Sequence, residues 1–232
     1  MPKFKTSKGL LFLFIAVVVL ISWHNVSKRP SASDLFVLPF YFEGISTPLN
    51  AEDLSFEEQA LVINQLQQNM LSIAPKDKGI PEEQDRGLQQ LSDLGYGLCY
   101  DKSYALEILL EHLGFKTRHV SIYDDPEGTT WIKDLSTRGI LSHACTEVLT
   151  QKGWLVIDPN FAWMALDKNG DPVSLASDDL WADSNNFISP PPYPIYTQNH
   201  HIVFGLYSRH GQFFKPYNRI PDVNWRGLLY NL

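Results

Sequence analysis

The chain has 232 residues, of which 44% are hydrophobic and 19% charged, so disorder, collagen-like repeats and coiled coils are excluded for most of its length. The net charge is −7, and the first 29 residues hold five basic and no acidic residues, which leaves 14 basic and 26 acidic residues on the rest. Such an acidic body repels phosphate backbones, so we expect no nucleic-acid partner. Two cysteines exclude a disulfide-dense scaffold and a four-cysteine zinc site.

An apolar run at residues 10–23 is the first strong pattern in the chain. Three lysines precede it, and Lys28 and Arg29 follow it. The run suits the core of a secretion signal, but no small-x-small cleavage site comes directly after it, and a helix over 9–26 approaches spanning length. We therefore interpret residues 1–29 as an uncleaved signal anchor, with a cleaved secretion signal as the alternative. The larger number of basic residues before the run predicts a globular part outside the cytoplasm, on the periplasmic side in a bacterium.

Helical patterns follow the predicted anchor. Residues 30–54 are predicted to be a tether that becomes an extended edge segment, and residues 55–232 one domain. A capping-box pattern at 55–58 begins an amphipathic helix. A second helix is predicted from Pro81 or Glu82 to Leu94, and a third from Cys99 to Leu113. The third is apolar nearly all round, which is typical of a helix buried in the middle of a domain.

The spacing of apolar residues then changes to two, which indicates strands. Strands are predicted over 118–123, 143–150 and 154–157, with a tight turn at 151–153 joining the last two. The proline-rich stretch 189–194 is predicted to be an irregular arm, and 202–207 with 212–217 a further hairpin. Helices gathered before strands predict an α+β fold.

Three residues in these elements form a candidate catalytic set. Cys99 follows a glycine-containing turn and opens the third helix, where free N–H groups and the helix dipole favour a thiolate. His143 begins a strand and is suited to act as the base and then the acid. Asp158 ends the neighbouring strand, from which a carboxylate can orient the imidazole. The pattern therefore predicts nucleophilic catalysis by a cysteine.

The residues around this set resemble the transglutaminase-like superfamily. The resemblance is carried by a cysteine opening a buried helix, by His-Ala-x-x-Glu-Val starting at His143, and by Trp-x-x-x-Asp-Pro starting at Trp154. It covers about residues 80–165 and leaves 166–232 as a predicted C-terminal β extension. It implies a papain-like core of helices packed on an antiparallel sheet, with Cys99 as nucleophile, His143 as base and Asp158 as the orienting acid.

Two functions from different classes are compatible with this resemblance. The first is a membrane-anchored cysteine acyltransferase or amide hydrolase that forms a thioester on Cys99 and acts on a peptide or protein amide. The alternative is an inactive binding or scaffolding module of the cell envelope with the same fold. No cofactor and no metal is expected, because the chain lacks close CxxC or HxxxH spacing. The expected oxyanion donors are the Cys99 N–H and a side chain from Gln84, Gln89 or Gln90.

Cys145 has two interpretations. It stands two residues after His143, on the same side of a strand, at a position where the family often has a large aromatic residue. It could form a disulfide with Cys99 and silence it, or it could be a packing residue beside the central helix. The expected burial of a mid-strand side chain favours packing.

Overall fold

A computed structural model describes residues 25–207 and 222–232, except 82, 83, 85, 126, 129, 131, 132, 134–136 and 138. Its α-helices, in chain order, are α1 (Leu38–Tyr41), α2 (Phe56–Ile73), α3 (Leu88–Leu94), α4 (Cys99–His112), α5 (Asp178–Trp181) and α6 (Trp225–Leu228). Its strands are β1 (Lys116–Asp124), β2 (Ser142–Thr150), β3 (Gly153–Asp158), β4 (Trp163–Met164) and β5 (His200–Phe204). The helices before β1 and the strands after α4 confirm the α+β fold.

The five strands form one sheet in the order β4-β3-β2-β1-β5, and every neighbouring pair is antiparallel. The predicted tight turn joins β2 to β3, where Gly153 adopts a φ of 126° that other residues rarely adopt. The distant β5 returns to the free side of β1, with Phe204 opposite Val120. An antiparallel sheet with helices on one face is consistent with the papain-like core that the sequence predicted.

Both faces of the sheet are covered. On one face α4 lies against β1 and β2, and the hydroxyl of Thr146 donates to the backbone carbonyl of Ser103 in α4. Alternate residues of β2 therefore point away from α4, into a second core that includes Cys145. The buried aromatic residues of this second core come from the chain after β3 (Trp163, Trp181, Phe187, Tyr196 and Phe204).

The interior of α4 behaves as its sequence predicts. Apolar side chains around its whole circumference are buried (Ala105, Leu106, Ile108, Leu109 and Leu110), so the helix runs through the middle of the domain. The capping box of α2 is also present, because the Ser55 hydroxyl accepts from the Glu58 N–H and the Glu58 carboxylate accepts from the Ser55 N–H.

The second predicted helix is shorter than expected. Instead of beginning at Pro81 or Glu82, α3 begins at Leu88. The carboxylate of Asp34 accepts from the Gln89 N–H at 2.9 Å and lies 2.8 Å from where a Cβ on Gly87 would stand. Asp34, from a distant segment, therefore takes the place of an N-terminal cap. Gly87 keeps an extended backbone, so the helix begins only at Leu88.

The prediction of an extended edge segment at 30–54 is wrong for its middle part. The structure has a 3₁₀ turn at Asp34–Phe36 followed by α1. Tyr41 in α1 is fully buried, and its hydroxyl donates to the Leu88 carbonyl at 2.9 Å. A helical turn here lets one face of the segment fill the space between α2 and α3, which a solvent-exposed tether would leave open.

The region 166–232 contains less β structure than predicted. Within its described residues it holds one strand, β5, together with short helices and 3₁₀ turns. The first half of the predicted hairpin, 202–207, overlaps β5, which pairs with β1. The second half, 212–217, lies outside the described residues.

No helix within the described residues is both long enough and apolar enough to cross a bilayer. The predicted anchor covers residues 1–29, with its helix over 9–26, and residues 1–24 lie outside that part of the chain. The prediction of a helix that continues to residue 26 is wrong at its end, because Asn25 and Val26 pair with Val223 instead.

Candidate active site

Cys99 is the first residue of the buried helix α4. A side chain at Gly97, two residues before it, would crowd the start of the helix, because a Cβ there would stand 2.5 Å from the Leu91 side chain and 3.2 Å from the Cβ of Asp101. The Asp101 carboxylate accepts from the Leu98 N–H at 3.0 Å and so closes the helix start. The first N–H groups of a helix have no intrahelical partner, so the start of a helix carries a partial positive charge. The half-buried Cys99 thiol lies at this end of α4.

His143 and Asp158 meet where β2 and β3 border the second core. The Nε2 of His143 donates to Oδ2 of Asp158 at 2.8 Å. The Asp158 side chain is fully buried and also accepts from the Asn160 backbone N–H at 2.8 Å and from the Tyr196 hydroxyl at 2.7 Å. With Nε2 bound to Asp158, Nδ1 is the ring nitrogen that remains for the thiol.

The electrostatics of His143 favour a charged ring. Burial alone lowers the pKa of His143, but hydrogen bonds to Asp158 and Cys99, together with the negative charges of both, raise it to about 10. The ring is therefore an imidazolium at neutral pH, held between a carboxylate and the sulfur. The structure brings the three residues predicted from the sequence together, and their arrangement suits a thiolate–imidazolium pair.

Two tyrosines of the proline-rich arm complete the surroundings of His143. The Tyr193 ring lies 4.8 Å from the imidazole, centroid to centroid, and the buried Tyr196 ring lies 5.6 Å away at 84°. Sequence reasoning missed Tyr196 as a partner of Asp158. Its only signal was the run of prolines at 190–194, which predicts an irregular backbone but not the face on which the arm lies.

Gln67 is a second residue that the sequence did not point to. It is fully buried in α2, and its amide nitrogen donates to the carbonyls of Asp158, Phe161 and Trp163 at 2.8 to 3.1 Å. These three carbonyls belong to the turn that connects β3 to β4. Gln67 therefore fixes the backbone that carries Asp158 without touching the imidazole itself.

Lys102 adds a buried amine to the same region. It lies three residues after Cys99, on the same side of α4, and only 1% of its surface is exposed. Burial lowers the pKa of Lys102, while the negative charges of Asp77, Cys99 and Asp158 oppose that shift. The candidate nucleophile therefore has a buried amine one helical turn away, on the same side of α4.

The three glutamines predicted as oxyanion donors are engaged elsewhere. Gln90 donates to the Gln84 side chain at 2.8 Å, and Gln89 donates to Asp93 at 2.8 Å. Among the described contacts, none of the three bonds to Cys99, His143 or Asp158. Gln84 lies before the start of α3 and is exposed, and Gln89 and Gln90 lie in the first turn of that helix.

Cys145 is buried, and neither its thiol nor that of the half-buried Cys99 forms a disulfide. Burial raises the pKa of Cys145 well above its usual value, and the charges of Glu147 and Asp158 raise it further. The predicted burial is present, but its place is not beside the central helix. Because α4 packs on the opposite face, Cys145 lies among the aromatic residues of the second core.

We expect the Cys145→Ala substitution to lower the free energy of unfolding by about 1–3 kcal/mol, because a buried side chain loses its contacts. The rate at which Cys99 reacts with iodoacetamide should stay unchanged, since a buried neutral thiol contributes no charge to the site. Denaturant unfolding and peptide mass spectrometry measure the two effects. A Cys99–Cys145 crosslinked peptide as the major species without reductant would contradict this packing role.

Part of the chain matches a known protein family. Residues 47–159 match the family model of the transglutaminase-like superfamily, and this range contains Cys99, His143 and Asp158. These residues form a transglutaminase-like core. The match begins before the range 80–165 that the sequence motifs covered, because it also includes α2, the helix that supplies Gln67 to the transglutaminase-like site.

Other comparisons are more distant. No curated protein matches the chain. A solved structure of a proposed cysteine protease from Cytophaga hutchinsonii aligns with 76% of this chain at 12% identity and a TM-score of 0.33. The chain spans about half the length of that protein, 49% of which is covered.

Proposed function

We propose that this protein is a cysteine-dependent enzyme of the transglutaminase-like type, an amide hydrolase or acyltransferase that acts on a peptide or protein amide. The observation that carries the proposal is the short contact between His143 and Asp158, beside a cysteine at the start of a buried helix. The raised pKa of His143 supports the proposal, because an imidazolium is the proton donor that an amide leaving group requires.

In the proposed reaction the Cys99 thiolate attacks the substrate carbonyl carbon, and a C–S bond forms. The carbonyl oxygen gains negative charge, which the free N–H groups at the start of α4 can stabilise. The C–N bond then breaks, and the imidazolium of His143 gives its proton to the departing amine. A thioester on Cys99 remains.

The second half of the reaction consumes the thioester. Water or a second amine attacks the carbonyl carbon, and the now neutral imidazole of His143 takes the proton from the attacking group. The C–S bond breaks and returns the thiolate, so the imidazolium–thiolate pair is restored. Asp158 keeps its hydrogen bond to Nε2 throughout and needs no change of protonation.

The test uses p-nitrophenyl acetate as the probe. We expect the protein to gain one acetyl group on Cys99, and the Cys99→Ala variant to gain none at that peptide. Dansylcadaverine incorporation into casein then measures acyl transfer, and the release of new amino groups from casein measures hydrolysis. Equal acetylation of the protein and its Cys99→Ala variant would instead support a binding module without catalysis.

We further propose that residues 1–29 attach the enzyme to a membrane, with the domain outside the cytoplasm. Lys28 supports this orientation, because its ammonium bonds Glu111 at 2.9 Å and lies 3.6 Å from Glu107. Its charge is therefore balanced by the domain. The uncompensated basic residues are then three lysines before the apolar run and only Arg29 after it. This difference strengthens the positive-inside asymmetry.

Alkaline phosphatase fused after Leu232 tests the orientation in a bacterial host. Phosphatase activity is expected, since the enzyme is active only outside the cytoplasm. A fluorescent protein at the same position serves as the matched control. Green fluorescence without phosphatase activity would mean that the domain lies on the cytoplasmic side.

A further inference from the structure

The C-terminal segment carries three exposed apolar side chains at helical spacing. Trp225 begins α6, Leu229 begins the 3₁₀ turn Leu229–Asn231 that follows it, and Leu232 comes directly after that turn. They are 38%, 65% and 102% exposed, respectively. We call this set the C-terminal apolar face. A cluster of this kind is uncommon on a soluble surface unless it meets a partner or a membrane.

The opposite side of the same segment is fixed to the sheet. The side chain of Asn231 accepts from the backbone N–H of Phe204 at 2.9 Å and donates to the Phe204 carbonyl at 3.0 Å. Gly227 lies against Gly205, where an added Cβ would stand 2.6 Å from the Gly227 carbonyl carbon. Because the inner side is bonded to β5, the segment cannot rotate to bury its apolar face against the domain.

The chain leaves the predicted anchor directly beside this face. Asn25 pairs with Val223, and the Asn25 side chain accepts from the Trp225 backbone N–H at 3.4 Å. Val26 donates to the Val223 carbonyl at 2.8 Å and accepts from the Asn224 side chain at 3.0 Å. The last residue of the apolar run, Trp23, is two positions before Asn25, and two residues span at most about 7 Å.

The segment that follows the anchor is held as tightly. The Tyr104 hydroxyl donates to the Ser27 carbonyl at 2.8 Å, and Lys28 donates to the Thr117 carbonyl at 2.6 Å. Residues 25–28 therefore form part of the domain surface and leave no slack between it and the apolar run. The distance between the domain and the site where the apolar run is bound is therefore fixed.

We propose that the C-terminal apolar face rests in the interfacial region of a lipid bilayer, beside the point where the anchor enters it. The proposal rests on the membrane attachment proposed above. Tryptophan favours the headgroup level of a bilayer, and leucine side chains beside it extend to the boundary between headgroups and acyl chains. Arg226, which directly follows Trp225, is exposed, and a basic side chain suits an anionic headgroup.

Docking of this kind would also set the height of the active site above the bilayer. Tyr104, which bonds Ser27 shortly after the apolar run, is five residues along α4 from Cys99, a distance of about 7.5 Å along the helix axis. The proposed nucleophile would therefore work close to the membrane, on amides that are themselves held at its surface.

The test places a fluorophore on the face and measures quenching by labelled lipids. A nitrobenzoxadiazole group is attached to full-length protein carrying Cys99→Ser and Leu229→Cys, in which the buried Cys145 stays unlabelled. The matched control carries Leu61→Cys, a 69% exposed position on α2. The proteins are placed in vesicles of phosphatidylcholine and phosphatidylglycerol that contain doxyl lipid.

We expect at least about threefold stronger quenching at position 229 than at position 61, because the collisional quencher acts only at membrane depth. Flotation of the vesicles after an alkaline carbonate wash reports attachment separately. Protein that floats but is quenched equally at both positions overturns the docking alone. Protein that does not float overturns both the docking and the attachment. Quenching that depends on protein density rather than on doxyl lipid would assign the face to a second copy and overturn the proposal.

Discussion

Replacing His143 is expected to slow the alkylation of Cys99 by iodoacetamide at least about tenfold near pH 6. In the protein the charged His143 ring is hydrogen-bonded to the sulfur of Cys99, and the thiolate is the form of a cysteine that reacts. Without that cation the thiol loses its partner, and an ordinary thiol is almost entirely protonated at this pH. Peptide mass spectrometry of the alkylated protein over time measures the rate.

The choice of variant matters, because His143→Ala would leave the buried Asp158 carboxylate without a partner. His143→Gln retains a donor for Asp158 and has no titratable ring, so it separates loss of charge from loss of folding. A thermal melt checks that it folds. Alkylation of His143→Gln at the rate of the unchanged protein would contradict the ion pair and, with it, the proposed nucleophile.

The same pair predicts how stability depends on pH. The pKa of His143 is about 10 in the folded protein and near 6.5 in an unfolded chain, so between these values the folded state binds the additional proton. The stabilisation is complete below about pH 6.5 and is lost as the pH rises through 10. Urea unfolding at pH 6, 8 and 10 should show this decline in the protein and a flatter profile in His143→Gln.

The Arg118→Met substitution is expected to lower the free energy of unfolding by about 3–5 kcal/mol, because it leaves a buried carboxylate unpaired. The Arg118 guanidinium bonds the fully buried Glu147 and lies 4.2 Å above the rings of Trp154 and Phe204. Glu147 also accepts from the Ser174 hydroxyl at 2.9 Å and the Leu175 N–H at 2.6 Å. Removing the arginine leaves these contacts in place and removes the charge that balances Glu147, together with the packing of the guanidinium on the rings. Denaturant unfolding measures the loss.

A second substitution separates charge from packing. Glu147→Gln in the Arg118→Met background keeps an oxygen acceptor for Leu175 and removes the buried charge. The double variant should therefore regain part of the lost free energy. A double variant that is no more stable than Arg118→Met by itself would mean that the unpaired charge of Glu147 is not the cause of the loss.

Local patterns determined much of the fold. Contacts between near neighbours in the chain determine that α4 starts at Cys99 and is buried. They also determine where β1, β2 and β3 begin and end, to within a few residues. The alternation of side chains along a strand likewise placed Cys145 on the side of His143. The assignment of Cys99, His143 and Asp158 as a set came from the motifs, and their convergence followed from two adjacent strands and one helix start.

Distant contacts decided what the sequence by itself left open. The capping of α3 by Asp34, the support of Asp158 by Gln67 and Tyr196, and the second core around Cys145 each join segments separated by tens of residues. No local period encodes such a meeting, because it depends on which face of the sheet a long irregular arm covers. The sequence by itself therefore determined the candidate nucleophile, base and acid. Only the tertiary structure decided which groups hold them, since polar groups buried by folding must find partners wherever the chain brings them.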